Sequence, residues 1–292
     1  MQKITKKLHW LDFLIVGCVI YFFYYVLTQM SDNLNYNWRW DKIPNYIFKY
    51  HTGREEWFAN VLLQGLIVTI RVSIYASILA LVLGVTLGVA RCSHNLVVRM
   101  LARTYLEFLR NIPPLVVIFI FYFFLAEQLI QVMNIESWSY KIAKLENNQI
   151  WEFFCGDMRR FPSLVSGVIV LALFESAFVG EIVRAGIQSI DRGQREAARS
   201  IGMTRFQEMR YIVLPQAMRK IMPPMANQFI TLIKDSSIIS LISVQELTYK
   251  TQELVSSTHM IFEAWLTTAM FYFVICFGLS LSSTFVFLYF FS

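Results

Sequence analysis

The sequence predicts an all-α integral membrane protein with about six transmembrane helices, and three observations support this prediction. Hydrophobic residues make up 56% of the 292-residue chain, and charged residues make up only 16%. The apolar residues form runs of bilayer length, and the positive charges cluster in alternate loops. Soluble domains are roughly a quarter charged, whereas a membrane helix needs about 20 mostly apolar residues. The composition therefore fits a membrane protein and excludes an ordinary soluble domain.

Six apolar stretches are long enough to be transmembrane helices. They lie at residues 10–28, 61–90, 113–133, 164–184, 225–244 and 262–291. The first is longer than the apolar core of a signal peptide, and no small-residue cleavage site follows it. We therefore expect it to be retained. The fifth has the weakest apolar pattern because it contains Lys234 and Asp235.

The basic residues of the loops predict the orientation. They are concentrated in three segments: Lys3, Lys6 and Lys7; Arg91, Arg99, Arg103 and Arg110; Arg192, Arg195, Arg199, Arg205, Arg210, Arg219 and Lys220. Six helices place these segments on one side, which the positive-inside rule makes cytoplasmic together with both termini. The loops at 29–60, 134–162 and 245–261 mix acids and bases and are expected outside. The net charge of +6 thus reflects topology, and we expect no nucleic acid partner.

Residues 189–215 have a local pattern that predicts two helices joined by a sharp turn. Residues 194–201 are mostly good helix formers. Gly202 suits the left-handed position that ends a helix. Thr204 and Gln207 have the spacing of a capping box that opens the second helix.

The second of these helices is expected to close at Pro215, because proline lacks the N–H that a helix interior requires. On the first helix, Ala197, Ala198 and Ile201 form a small apolar stripe. Such a stripe suits insertion into a groove of another protein. The alternative is an ordinary basic loop between two membrane helices.

The same segment resembles the EAA signature of importer permeases of the ATP-binding-cassette (ABC) class. The residues that match its defined positions are Glu196, Ala197, Ala198, Gly202, Ile212, Leu214 and Pro215. The resemblance implies that the segment forms a cytoplasmic coupling helix, which docks on a separate ATPase.

Further blocks resemble the subfamily that imports histidine, arginine, glutamine or glutamate. They are GLIVTI at 65–70, FLRNIPPL at 108–115, ESAFVGEIVRAGI at 175–187, LPQA at 214–217, NQFI at 227–230 and LIKDSS at 232–237. The resemblance runs from about residue 60 to the C-terminus and implies a type I ABC importer permease-like core over 60–292. Residues 1–59, with the first helix and an external loop, look like an addition.

The resemblance also implies the function and the partners of the chain. It implies a multi-pass permease subunit that translocates a polar or charged amino acid across the bacterial inner membrane. The implied partners are an ATP-binding-cassette ATPase dimer, a second permease subunit (identical or related), an external amino-acid binding protein and membrane lipid.

Polar groups inside the predicted helices are candidates for the substrate pathway, because ionisable groups in hydrocarbon usually face a cavity or a partner. These candidates are Glu175, Ser176, Asn227, Gln228, Lys234 and Asp235. Glu175 could be a buried structural carboxylate or could contact a substrate ammonium or guanidinium group. Lys234 and Asp235 could meet substrate or form interhelical ion pairs. Asn227 and Gln228 offer both donors and acceptors.

No motif predicts catalysis, a cofactor or a metal site. The sequence contains no G-x-x-x-x-G-K-[ST] phosphate loop, so hydrolysis of ATP is expected in a partner. It also contains no H-E-x-x-H pair and no G-x-S-x-G elbow. A stand-alone secondary transporter or channel is the alternative function, and it would predict inverted repeats with broken helices in both halves. A purely structural membrane anchor would not need the charges inside the membrane.

Overall fold

A computed structural model describes residues 10–34, 36–51, 56–145 and 149–291. The chain divides into two compact units, Met1–Asp41 and Lys42–Ser292. The first contains α1 (Trp10–Leu34), followed by an aromatic stretch in which the rings of Trp38 and Trp40 stack with centroids 6.0 Å apart. The division predicted at residues 59 and 60 stays a prediction.

Near its start, the second unit contains a small β-hairpin that the sequence did not predict. A short helix, α2 (Ile43–Ile47), precedes β1 (Phe48–His51), which pairs antiparallel with β2 (Glu56–Ala59). Asn60 then ties α2 to the start of the next helix, because its side-chain amide donates to the carbonyl of Asn45 at 2.6 Å. The remaining elements of the described chain are helical.

The centre of the second unit is formed by two long helices, α3 (Val61–Arg91) and α9 (Phe161–Gln188). Their close approach depends on small residues. A Cβ added to Gly84 would lie 2.4 Å from a methyl carbon of Val179, and one added to Gly88 would lie 2.6 Å from the carbonyl oxygen of Gly180. Spacing of small residues by four is a common device for packing helices in membranes, where van der Waals contact replaces the hydrophobic effect.

Four helical stretches of the described residues are long and apolar enough to cross a membrane: Val61–Arg91, Pro114–Val132, Met158–Gln188 and Ile261–Phe285. The second comprises α5 (Pro114–Phe121), a π-helical turn (Tyr122–Ala126) and α6 (Glu127–Val132). The fourth belongs to α14 (Ile261–Phe291). These four agree with predicted helices two, three, four and six.

The predicted fifth helix is present but begins earlier than expected. It is α12 (Leu214–Asp235), which continues into a 3₁₀ helix (Ser236–Ile242) and carries Pro223 and Pro224 in its interior. It does not have the composition of the other four, because its first half is polar and basic. The total of six membrane helices therefore stays a prediction.

Besides α2, four helices of the described chain lie in stretches that the sequence analysis treated as loops. They are α4 (Leu96–Asn111), α7 (Ile135–Ala143), α8 (Gln149–Cys155) and α13 (Leu247–Thr258). The helix α4 is amphipathic: Leu106 and Leu109 on its apolar face are buried with Phe174 of α9. The side chain of Asn95 caps its start by accepting from the N–H of Val97 at 2.9 Å.

The side chain of Arg71 fastens α8 to α3. Its guanidinium donates to the carbonyl of Phe153 at 2.9 Å, and the hydroxyl of Tyr75 donates to the carbonyl of Phe154 at 2.7 Å. These are carbonyls of the last turn of α8, which have no partner within their own helix. Gly156 follows with a positive φ of 78°, as expected one residue past a helix end.

Candidate functional site

The first helix of the predicted coupling segment is α10 (Arg192–Ser200). Asp191 caps its start, since its carboxylate accepts from the N–H of Gly193 at 2.6 Å. At its end, the N–H of Met203 donates to the carbonyl of Ala198 at 3.1 Å and the N–H of Gly202 donates to the carbonyl of Arg199 at 3.0 Å. This pair of bonds is a Schellman motif. Gly202 has a φ of 83°, so its predicted left-handed conformation is confirmed.

The predicted capping box is also present. The backbone N–H of Thr204 donates to the side-chain carbonyl of Gln207 at 2.9 Å, and the hydroxyl of Thr204 accepts from the N–H of Gln207 at 3.4 Å. These bonds open α11 (Arg205–Gln207) immediately after the turn. The sharp break between two helices therefore follows from the residues between positions 202 and 207.

The expectation that Pro215 closes this second helix is wrong. The chain continues from α11 through a π-helical stretch (Glu208–Val213) directly into α12, and Pro215 lies in the first turn of α12. Proline clashes with the carbonyl four residues earlier in a regular α-helix. The π-helical stretch moves the hydrogen bonding to five residues, as in the bond from Leu214 to Met209, and so accommodates the proline.

The predicted apolar stripe of α10 is divided between two directions. Ala198 is buried against its own chain, whereas Glu196 and Ala197 are exposed. Ile201 is 74% exposed, and Phe206, which the sequence analysis did not single out, is 72% exposed. Of the signature residues that follow in the chain, Ile212 is half-buried, and Leu214 and Pro215 are exposed. The described chain therefore presents an uncovered apolar surface around the turn.

An ion pair holds α10 against the π-helical stretch. The Nε of Arg199 lies 2.9 Å from a carboxylate oxygen of Glu208, whose side chain is buried. The hydrogen bond and charge of Arg199 hold the pKa of the Glu208 carboxyl below its usual range. This pair spans nine residues and was missed by sequence reasoning, because only the turn at Gly202 brings its members together.

Two further contacts attach the segment to α9. Arg195 of α10 donates to the carbonyl of Ile187 at 2.6 Å. Lys220, in the first half of α12, donates to the carbonyl of Ser189 at 2.8 Å. Basic side chains are favourable at such positions because the last carbonyls of a helix carry partial negative charge. The two bonds bring α10 and α12 to the same end of α9.

The same end of the molecule carries a network of ion pairs around Glu181 of α9. Its carboxylate lies 2.8 Å from Arg91, 2.5 Å from Arg184 and 3.5 Å from Arg110. Glu107 of α4 accepts from Arg91 at 3.2 Å. The ends of α3, α4 and α9 are thereby joined on the side predicted to be cytoplasmic.

Three of the six candidate pathway residues come together inside the second unit. Glu175 of α9 is completely buried, and its Oε2 accepts from the side-chain amide of Gln228 of α12 at 2.6 Å. The carboxyl group of Asp235, at the end of α12, is a further polar neighbour of Glu175. The Oε1 of Glu175 is buried without a hydrogen-bond partner among the described residues.

The other three candidates lie elsewhere. Ser176 points toward α4, where its hydroxyl lies 3.1 Å from that of Tyr105 and donates to the carbonyl of Leu173 at 2.7 Å. Asn227 and Lys234 are exposed on the surface of the described chain. Within that part of the chain, no carboxylate lies within 4 Å of the Lys234 ammonium, so the expected interhelical ion pair is absent from this subunit.

A second buried polar network was not anticipated. Glu246, just before α13, is fully buried and accepts from the hydroxyl of Tyr272 at 2.8 Å and the N–H of Tyr249 at 2.9 Å. Thr69 of α3 donates to the same carboxylate at 3.3 Å. Glutamate is not among the preferred helix-capping residues, so the sequence offered little signal for this role.

Comparison with known proteins identifies the family. Residues 80–291 match the family described as binding-protein-dependent transport system inner membrane component, and this match covers most of the chain. The chain belongs to this family. It is thus a transport subunit rather than an enzyme, and its resemblance to ABC importer permeases is confirmed.

This transport subunit is similar to two bacterial relatives and to one solved structure. The chain is 36% identical over 184 residues to the probable glutamine ABC transporter permease protein GlnM of Bacillus subtilis, covering 63% of this chain and 72% of that protein. It is 33% identical over 225 residues to the probable glutamine ABC transporter permease protein GlnP of the same organism, covering 76% and 90%. A crystal structure of an amino acid ABC transporter with histidines superimposes with a TM-score of 0.61 at 31% identity, over 77% of this chain and 92% of that one.

Proposed function

We propose that this chain is the membrane-spanning permease subunit of an ABC importer that carries a polar or charged amino acid across the inner membrane. Both termini and the segment 189–215 face the cytoplasm. The relatives whose names specify glutamine, and the matching amino acid transporter structure, support the class of substrate. The observation that carries the proposal is the coupling segment, with its Schellman turn, capping box and exposed apolar surface.

A dimer of separate ATPase subunits binds the surface formed by Ala197, Ile201 and Phe206. These side chains are exposed and apolar in the described chain, and Glu196 lies beside them. Small and branched apolar side chains on a short helix fill a groove well, and they exclude water from it. The exposed carboxylate of Glu196, which has no cation within 4 Å among the described residues, is available to a basic group of the ATPase.

Movement of α10 reaches the interior through contacts that are already in place. Arg195 and Lys220 connect α10 and α12 to the end of α9, and the ion pair between Arg199 and Glu208 keeps α10 attached to the start of α12. The helices α9 and α12 also carry Glu175 and Gln228. Closure of the ATPase on ATP therefore shifts the two helices that hold the buried polar cluster, and the pathway changes from inward-open to outward-open.

The cluster of Glu175, Gln228 and Asp235 contacts the ammonium group or the polar side chain of the amino acid during translocation. A buried carboxylate with one oxygen left without a partner is costly unless a donor reaches it. Every amino acid carries an ammonium donor, and Gln228 offers an amide oxygen as a further acceptor. A second permease subunit completes the pathway, and an external binding protein delivers the substrate.

The experiment is transport in proteoliposomes that contain the permease, the ATPase and the second subunit purified as one complex. With binding protein and labelled amino acid added outside and ATP enclosed, uptake should require ATP hydrolysis and should favour polar amino acids. Uptake by the permease alone, driven by an ion gradient without the ATPase, would instead support the stand-alone secondary transporter.

A further inference from the structure

A basic cleft lies between the predicted coupling helix and the ends of α3, α4 and α9. It has a volume of about 880 Å³ and opens to solvent. Its apolar wall includes Val85, Val89 and Val98. The part of the lining that belongs to α10 and α11 carries arginine side chains. The cleft is separate from the polar cluster at Glu175 and from the exposed surface at Ile201.

The cleft contains more positive charge than its acidic residues neutralise. Its arginines are Arg91, Arg99, Arg195, Arg199 and Arg205. Glu208 is the acidic residue among the lining side chains, and it is paired with Arg199. Arg91 is paired with Glu107 and Glu181. The other three arginines have no carboxylate within 4 Å among the described residues. Their positive charge favours the binding of an anion in the cleft.

One arginine of the cleft has a donor without an acceptor among the described residues. The Nε of Arg195 is buried and has no hydrogen-bond partner among the described residues, although the Nη2 of the same side chain donates to Ile187. An unpaired guanidinium N–H that is shielded from water costs free energy. Phosphate oxygens are strong acceptors for arginine, and the side chain of Arg195 is part of the cleft lining.

We propose that this cleft binds a phosphate group, supplied by the headgroup of an anionic phospholipid of the cytoplasmic leaflet. The phosphate lies against Arg99, Arg195 and Arg205, and the first part of the acyl chains lies along the valines of α3 and α4. Basic pockets between membrane helices on the cytoplasmic side are favourable sites for such headgroups. The apolar wall favours lipid over free phosphate. Placing the cleft at the cytoplasmic leaflet rests on the orientation proposed above.

Bound lipid would regulate coupling, because the same cleft is bordered by α10 and by the end of α9. A phosphate held between Arg195 and Arg99 connects the coupling helix to α4. The contact would stabilise one position of α10 relative to the membrane helices. Substrate-stimulated ATP hydrolysis should therefore depend on anionic lipid.

The test uses the purified complex in nanodiscs of phosphatidylcholine, with and without a minor fraction of phosphatidylglycerol. Retained phosphatidylglycerol is measured by native mass spectrometry for the wild type, Arg205→Gln, Arg99→Gln and the charge-preserving variant Arg195→Lys. Arg210→Gln is the matched control, because Arg210 is an exposed arginine of the same segment outside the cleft. In a second arm, inorganic phosphate is titrated into the complex without anionic lipid, and thermal stability is measured.

We expect each of Arg99→Gln and Arg205→Gln to weaken lipid retention about fivefold, which corresponds to about 1 kcal/mol. Arg195→Lys and Arg210→Gln should retain phosphatidylglycerol. Equal retention in all variants, or an equal loss in Arg210→Gln, would overturn the site. If millimolar phosphate stabilises the complex as much as the lipid does, the proposal that a lipid supplies the phosphate group is overturned. ATP-driven uptake is measured separately, with the wild-type complex in proteoliposomes that contain phosphatidylglycerol, so failure of the lipid site is distinguished from failure of the proposed function.

Discussion

Gly202 shows how one residue fixes the direction of the coupling segment. Its φ of 83° lies in the left-handed region, and a Cβ added there would meet nothing within 4 Å. The restriction on this position is therefore conformational and is not caused by crowding. Non-glycine residues pay roughly 1–2 kcal/mol in this conformation, and residues branched at Cβ are the most strained.

Gly202→Ala should cost about 1 kcal/mol at the turn, and Gly202→Val should cost more, because the strain arises in the backbone. We expect both variants to insert normally and to lose ATPase attachment or substrate-stimulated hydrolysis, with the larger loss for valine. Gly278→Ala is the control, since Gly278 lies in α14 with no neighbour within 4 Å and no positive φ. Normal assembly and stimulation in Gly202→Val would show that the left-handed turn is not needed for coupling.

The pair formed by Arg199 and Glu208 should make the coupling segment sensitive to acid. Because the folded-state pKa of Glu208 is lowered, the pair stabilises the segment above the unfolded-state pKa, and this contribution is lost as the pH falls through the folded-state pKa. Once corrected for the intrinsic exchange rate, hydrogen exchange of residues 191–213 should therefore accelerate as the pH falls below the usual glutamate range of about 4. With the same correction, Glu208→Gln should exchange fast at every pH. A wild-type profile that does not change with pH would contradict this assignment.

Glu175→Gln tests whether the buried carboxylate contacts substrate. Glutamine preserves the size of the side chain and can still accept from Gln228, so we expect a folded and inserted complex. Uptake should weaken or change selectivity across a panel of amino acids, with the largest effect on cationic ones. Ser176→Ala is the control, because Ser176 faces Tyr105 and not the cluster. Unchanged kinetics and selectivity in Glu175→Gln would make Glu175 a structural group.

Among the elements, α10 and α12 differ in how they attach to α9. The link through Lys220 joins α12 to the carbonyl of Ser189, one residue past the end of α9. This link lies on the proposed route from the ATPase to the buried cluster. It does not lie on the exposed surface around Ile201. Binding of the ATPase can therefore be tested separately from the transmission of movement to the buried cluster.

Lys220→Met should retain the ATPase but uncouple hydrolysis from transport. Methionine keeps the length of the side chain and removes the hydrogen bond to Ser189. We expect several-fold less amino acid transported per ATP hydrolysed, measured in proteoliposomes. Arg219→Met is the matched control, because the neighbouring Arg219 is also exposed but makes no bond to Ser189. An unchanged ratio in Lys220→Met would remove this contact from the route.

The long apolar helices could be predicted from the sequence because hydropathy and length determine them. The predicted stretches 61–90 and 262–291 differ from α3 and α14 by one residue at a single end. The helices α4 and α13 could not be predicted in this way, since they are amphipathic or polar and depend on packing against α9 and α3. The prediction that a helix ends at Pro215 was wrong because a π-helical stretch lets the helix continue. No local sequence pattern predicts that stretch.

For the whole molecule, the sequence predicted the family, the coupling segment and three of the residues that meet in the buried cluster. The meeting of Glu175 with Gln228 depends on the packing of α9 against α12, which lies beyond local periodicity. The contacts through Arg195, Glu208 and Lys220 also join residues whose proximity depends on the turns between helices. Spacing within one helix carries no information on such contacts.

The proposed function requires that the ATPase binds the turn around Ile201. A photo-crosslinking side chain is placed at Ile201, which is 74% exposed, and in a separate variant at Val132, which is 83% exposed in α6. Val132 lies at the end of the third predicted membrane helix, next to the loop predicted to be external, so it serves as the control. We expect a crosslink to the ATPase from position 201 and none from position 132. A crosslink from position 132, or none from position 201 in an intact complex, would contradict it.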